Sequence, residues 1–109
     1  MWKLALLFVL SGALIIGLAI PMIQRKVAPN PVYGFRTPKT LSSPDIWYPA
    51  NEYSGRLMAV AGGVTILGAI LLALWPGLTA EQYLWGGTAV LLSSLGWAVW
   101  KSFQFLNRL

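Results

Sequence analysis

Residues 30–56 read NPVYGFRTPKTLSSPDIWYPANEYSGR, and they separate a pair of apolar runs too long for a small soluble core. This stretch holds Asp45 and Glu52, two of the three acids, and Arg36, Lys39 and Arg56. Outside it the chain is greasy: 57% hydrophobic and 10% charged over 109 residues, where soluble domains carry about 25% charged residues. The length allows one domain.

Working outward, Leu4 to Ile23 is twenty residues without a charge, enough to cross a hydrocarbon core about 30 Å thick. Gly17-Leu18-Ala19 would suit a cleaved leader, but the run continues past that cut and stops at Arg25-Lys26, as an anchor does. Pro21 forfeits one backbone bond near its end. From Gln24 to Thr40 the chain is expected to be irregular. Pro29, Pro31 and Pro38 remove donors and bias their predecessors away from helix, and Gly34 permits a positive φ.

Ser43-Pro44-Asp45 looks like a helix start, with a capping hydroxyl, proline at the first position and an acid in the first turn. Pro49 is expected to limit that helix to a short interfacial turn over 44–48, with Ile46 and Trp47 facing lipid or the bundle. The second span, 57–75, has its helix starting near Ala50 to Asn51. Glu52 and Arg56 are then one turn apart in the favourable order for an ion pair. Pro76-Gly77 stops it. Thr79 and Gln82 match a capping box and open a third span over about 82–100, fraying after Lys101. The short link makes spans two and three an antiparallel hairpin.

The fold class is therefore an all-α membrane protein: three transmembrane helices, about 4–23, 57–75 and 82–100, with a Pro-rich loop between the first two. Three crossings put Lys3 on one side. Arg25, Lys26, Arg36, Lys39, Arg56, Lys101 and Arg108 fall on the other. The positive-inside rule then makes the loop and carboxyl terminus cytoplasmic and the amino terminus external. Trp2, Trp75, Tyr83 and Trp85 would mark one interface, and Trp47, Tyr48, Tyr53 and Trp100 the other. Small residues four apart, Ala13/Gly17, Ala59/Gly63, Ala69/Ala73, Ala89/Ser93 and Ser94/Ala98, offer faces for helix contact in a bundle or a homo-oligomer.

The composition also excludes chemistries. With no Cys and no His, the usual thiol nucleophile, zinc ligands and neutral-pH base are missing. No ionisable residue lies inside a span, which argues against proton relays and voltage sensing, while a lipid flippase or passive pore stays open. The basic residues form no dense run, so their charge reads as topology or contact with anionic membrane lipids rather than nucleic acid. No enzyme activity, cofactor or metal is expected.

In the central stretch the residues singled out for partner binding or loop organisation are Asn30, Tyr33, Gly34, Phe35, Arg36, Thr37, Pro38, Asp45, Trp47, Asn51 and Arg56. Arg36 has two readings. Its guanidinium would grip a phosphate or carboxylate at two points, or it pairs with Asp45 or Glu52 and pins the loop. Asp45 and Glu52 suit capping and ion pairing better than a hard cation. Trp47 and Asn51 are one turn apart if the helix continues through Pro49, which offers two readings, a ligand shelf and the more common interfacial anchor.

The order Asn30, Tyr33-Gly34-Phe35-Arg36-Thr37-Pro38, Thr40, Asp45, Trp47, Asn51, Gly55 resembles the signature of the SdpI family, bacterial membrane proteins related to the immunity protein against the sporulation-delaying peptide toxin. The resemblance implies a plasma-membrane location and resistance to a membrane-active peptide, with a signalling hold on a cytoplasmic regulator. The alternatives are a small accessory subunit of a larger membrane complex, and a lipid-binding module using Arg36 and Lys39.

Overall fold

The computed structural model describes residues 2–109 and contains three long helices: α1, Trp2–Ile23; α2, Pro44–Ala73; and α3, Ala80–Leu106. A single 3-10 turn, Thr40–Ser42, precedes α2. No strand occurs among the described residues. The helices form a rod 51 × 22 × 18 Å. Helix α2 is its centre: α1 and α3 each pack along it and barely touch each other.

The caps follow the sequence. Ser43 Oγ accepts from the Asp45 N–H with Pro44 at the first position. Thr79 and Gln82 make the reciprocal capping box at 3.1 Å each way. Gly77 turns the hairpin with φ +82°, a conformation that costs glycine little. The loop from Gln24 to Lys39 is irregular, and Gly34 has φ +114°.

Pro49 does not interrupt. Helix α2 is continuous from Pro44 for 30 residues, so the expected separate turn over 44–48 and a start near Ala50 are corrected. Pro49 is close to the amino-terminal end, where only the Asp45 carbonyl loses its partner. Trp47 and Asn51, on either side of Pro49, are both tied to the loop, which holds this first section of α2 in line. Helix α3 likewise runs past Trp100 and Lys101 to Leu106, where Phe103 and Phe105 pack on Phe35 and Tyr53 and Lys39 Nζ donates to the Leu106 carbonyl at 2.8 Å.

The interior is rich in small and polar residues, with a few aromatics among them, while the outer surface is greasy. Ala50, Ala61, Ala69, Ala98, Thr65 and Ser102 are buried, whereas Leu6, Leu10, Leu14, Leu67, Leu71 and Leu92 are exposed. A water-soluble bundle would reverse this, and a lipid solvent explains it. Helices α1 and α2 are long and apolar enough to cross a membrane. These features describe a membrane protein.

Close approach uses some of the expected small residues, with Ala69 and Ala98 buried, Ala73 against the core and Ser94 reaching the Ala61 carbonyl, and replaces others. A Cβ on Gly12 would lie 2.6 Å from the Gly62 carbonyl oxygen, and one on Gly62 2.6 Å from that of Gly12. Gly55 meets Ala19 and Met22, and Gly87 receives the Phe8 ring. Gly17 and Gly63 face open space. Where α1 crosses α2 the facing row runs one step around from the 13/17 and 59/63 rows chosen by spacing. Tyr83 also departs from its interfacial role. It is fully buried, donates to the Ala69 carbonyl at 2.8 Å and packs edge-on against Phe8.

Candidate functional site

The loop folds on itself before it folds onto the bundle. The Asn30 side chain is its hub: Oδ1 accepts from the N–H groups of Val32 and Tyr33 at 2.9 and 2.7 Å, and Nδ2 donates to the Ala28 and Tyr33 carbonyls at 2.8 and 2.9 Å. Thr37 and Thr40 form a second knot, the N–H of each donating to the hydroxyl of the other at 2.7 and 3.0 Å. Pro38, between them, is exposed. Arg36 donates to the Pro31 carbonyl. It pairs with neither Asp45 nor Glu52, which corrects that reading, yet it closes the loop through a backbone oxygen instead.

Further contacts then fasten the loop to the helices. Asn51 is buried on α2, where its Oδ1 accepts from the Phe35 N–H at 2.7 Å. Its Nδ2 donates to the carbonyls of Phe35 at 3.3 Å and Trp47 at 3.0 Å. Trp47 is fully buried and donates from Nε1 to the Val27 carbonyl at 2.7 Å. It is therefore a post under the loop rather than an interfacial anchor. Gly34 crosses directly over both, and a Cβ there would stand 2.7 Å from Asn51 Oδ1 and 3.2 Å from the Trp47 ring. Tyr33 reaches across to donate to the Leu18 carbonyl of α1, and burial raises its phenol above the ordinary value. Phe35 packs edge-on against Phe103 of α3 at 5.1 Å.

Charge at this end is arranged around Glu52. Arg56 lies 3.6 Å from it, one helical turn away, and Arg25 closes the other side at 3.2 Å. The first pair followed from spacing. The second did not, since it depends on Arg25 taking φ +57° beyond the end of α1. Asp45 makes no ion pair among the described residues and sits in the first turn of α2, where an acid favours the helix dipole. No cluster of three metal-ligating side chains occurs among the described residues.

Two concave surfaces flank this construction. One is an apolar cleft of about 320 Å³ under the loop, with Ile15, Leu18 and Met22 of α1 on one wall, Val99 of α3 on the other, Ser54 and Met58 of α2 as floor, and Tyr33 to Phe35 as roof. It exists because α1 and α3 stay apart at this end of the bundle, their contact being made at the other end where Phe8 meets Tyr83 and Gly87. The other is a shallower furrow of about 470 Å³ along the seam of α2 and α3, with Val60, Val64, Val90 and Trp97 as rims and Ala61, Ser93 and Ser94 between. Neither was legible in the sequence, because each depends on which helix pairs stay apart.

The motif residues thus meet at one place, but as a loop and its fastenings. Asn30, Tyr33, Gly34, Phe35, Thr37, Trp47 and Asn51 are brought together, while Asp45 and Arg56 lie at the rim. No curated protein and no solved structure matches the chain. A family model described as the SdpI/YfhL protein family matches residues 26–105, from the start of the loop to the end of α3. With the clamped loop and its two helices inside that match, the chain belongs to the SdpI/YfhL protein family.

Proposed function

We propose that this chain confers immunity by binding a membrane-active peptide toxin within the bilayer of a bacterial plasma membrane. In this reading α3 is a third crossing, the amino terminus is external, and the loop and carboxyl terminus are cytoplasmic. The reading is supported by the basic residues: seven of the eight belong to the loop and the helix ends packed around it. It assigns the protein no catalytic step.

One observation carries the binding reading. The furrow between α2 and α3 lies along the helices rather than at their ends, and small residues between large apolar rims suit a helix laid against it. The loop holds the two helix ends rigidly, so the furrow is preformed and an incoming peptide orders little.

Cells expressing the protein are expected to survive a membrane-active peptide that kills control cells. Ser93→Phe fills the furrow from an exposed position and is expected to abolish protection with unchanged protein in the membrane. Leu92→Phe, outside the furrow, is expected to keep it. Full protection in Ser93→Phe would refute the assignment.

A second reading, an accessory subunit of a larger membrane complex, is favoured by Gly17 and Gly96, which leave exposed notches with no atom near them. Stoichiometric co-purification with a complex after gentle extraction would support it, and a lone monomer or dimer would oppose it.

A further inference from the structure

Ser54 is the odd serine of this chain. It is 8% exposed, yet its hydroxyl makes no hydrogen bond among the described residues. The other six serines all make one. Ser11, Ser93 and Ser102 bond back to a carbonyl one turn earlier, Ser94 and Ser42 to one three residues back, and Ser43 accepts as a cap. Ser54 forgoes this, although the Ala50 carbonyl is in the usual place on a continuous helix. No buried side-chain nitrogen or oxygen among the described residues is left sealed without a partner, so the Ser54 oxygen is reachable, and the space it borders is the apolar cleft under the loop. A buried hydroxyl without a partner is costly. One that opens into a cleft is satisfied by what fills the cleft.

The surroundings select the occupant. The cleft walls are aliphatic, with Ile15, Met22, Met58 and Val99 prominent. Its mouth lies between α1 and α3, and Val99 beside it is 50% exposed on the outer surface, so the opening faces the hydrocarbon. Ser54 is two residues before Arg56, and Gly55 touches Met22 and Ile23 just ahead of Arg25. That depth is where apolar chains give way to polar groups. The same end of the bundle holds seven basic residues against Asp45 and Glu52, and Lys26 and Arg36 there are exposed and make no ion pair among the described residues.

We infer that the cleft is a specific site for an anionic glycerophospholipid: one acyl chain lies between α1 and α3, its ester carbonyl accepts from Ser54 Oγ, and its phosphate faces the basic loop end. The loop motif then has a second consequence. By drawing Tyr33 and Phe35 over the cleft it forms the roof against which the chain's carbonyl end is held. The site is separate from the α2–α3 furrow, although it shares the three-crossing topology, which labelling from the two sides of the membrane tests on its own.

The test titrates the purified full chain in mild detergent with dioleoylphosphatidylglycerol and, in parallel, dioleoylphosphatidylcholine, counting bound lipids by native mass spectrometry. The wild type is expected to hold one phosphatidylglycerol in preference to phosphatidylcholine. Ser54→Ala, which leaves the fold's other contacts intact, is expected to weaken that one site roughly fivefold, the worth of one neutral hydrogen bond. Val99→Trp, an exposed position at the mouth, is expected to abolish it with unchanged thermal stability in lipid-free detergent. Equal affinity for the two lipids, equal binding by wild type and Ser54→Ala, or a peptide rather than a lipid retained in the cleft from native membrane and lost in Val99→Trp, would each overturn the assignment.

Discussion

Replacing Asn51 by alanine should release the loop from α2 without disturbing the helices. Asn51 makes two bonds to Phe35, accepting from its N–H at 2.7 Å and donating to its carbonyl at 3.3 Å. Alanine removes both and strands a half-buried N–H. At about 1 kcal/mol for each bond, with some of the cost of the unpaired donor added, the loop loses about 2–3 kcal/mol. Where local opening governs hydrogen exchange, that loss accelerates exchange of the Phe35 amide by roughly 30- to 150-fold. Measured on protein in lipid nanodiscs, the change should be confined to residues 30–40, with α2 beyond Asn51 unaffected. A double substitution sharpens the test. Gly34→Ala alone meets Asn51 Oδ1 at 2.7 Å and must also hold φ +114°. In Asn51→Ala that collision is gone, which leaves the backbone strain, about 1–3 kcal/mol, and the tight 3.2 Å approach to the Trp47 ring. The pair together should therefore cost less than the sum of the singles. Phe35 protection unchanged within about twofold in Asn51→Ala, or strict additivity of the two, would refute the clamp.

Gly12→Leu should separate α1 from α2 and lower the thermal stability of the purified protein sharply, since even a Cβ meets the Gly62 carbonyl at 2.6 Å, whereas Gly17→Leu, facing open space, should leave stability nearly unchanged. Tyr83→Phe removes the bond to Ala69 and should cost about 0.6–1 kcal/mol in a detergent unfolding titration. Lys39→Met removes the bond to Leu106 and should fray the end of α3, read as faster exchange of the last-turn amides with the rest of α3 unchanged. Arg36→Ala should loosen the Pro31–Arg36 turn while leaving the Glu52 ion pairs with Arg25 and Arg56 in place, because Arg36 takes no part in them.

Those features of the fold that local chemistry decides are legible in the sequence. Ser43, Pro44, Thr79 and Gln82 cap helices through groups within three residues of each other, and the long apolar runs mark α1 and α2. What depends on packing is not legible. Pro49 looks like a break because its cost is local, whereas the ties of Trp47 and Asn51 that hold the helix through it come from residues far off in sequence. Spacing shows that small residues recur every four positions but not which row faces a neighbour, so it favours Gly17 and Gly63 over Gly12 and Gly62. Trp47 and Tyr83 resemble interfacial aromatics because a belt and a buried post use the same residues. Their burial follows only from where the loop and Phe8 arrive. The motif is visible from its residues, but its work as a clamp, and the two concave surfaces beside it, require three helices in place.

The most direct test of three crossings with the loop inside the cell uses the absence of native cysteine. Val32→Cys places a thiol on the loop at a position 80% exposed, and Ala80→Cys places one at the exposed start of α3. A membrane-impermeant maleimide applied to intact protoplasts should label Ala80→Cys at once and Val32→Cys only after permeabilisation. Labelling of Val32→Cys in intact protoplasts, or of both positions from the same side, would contradict the topology.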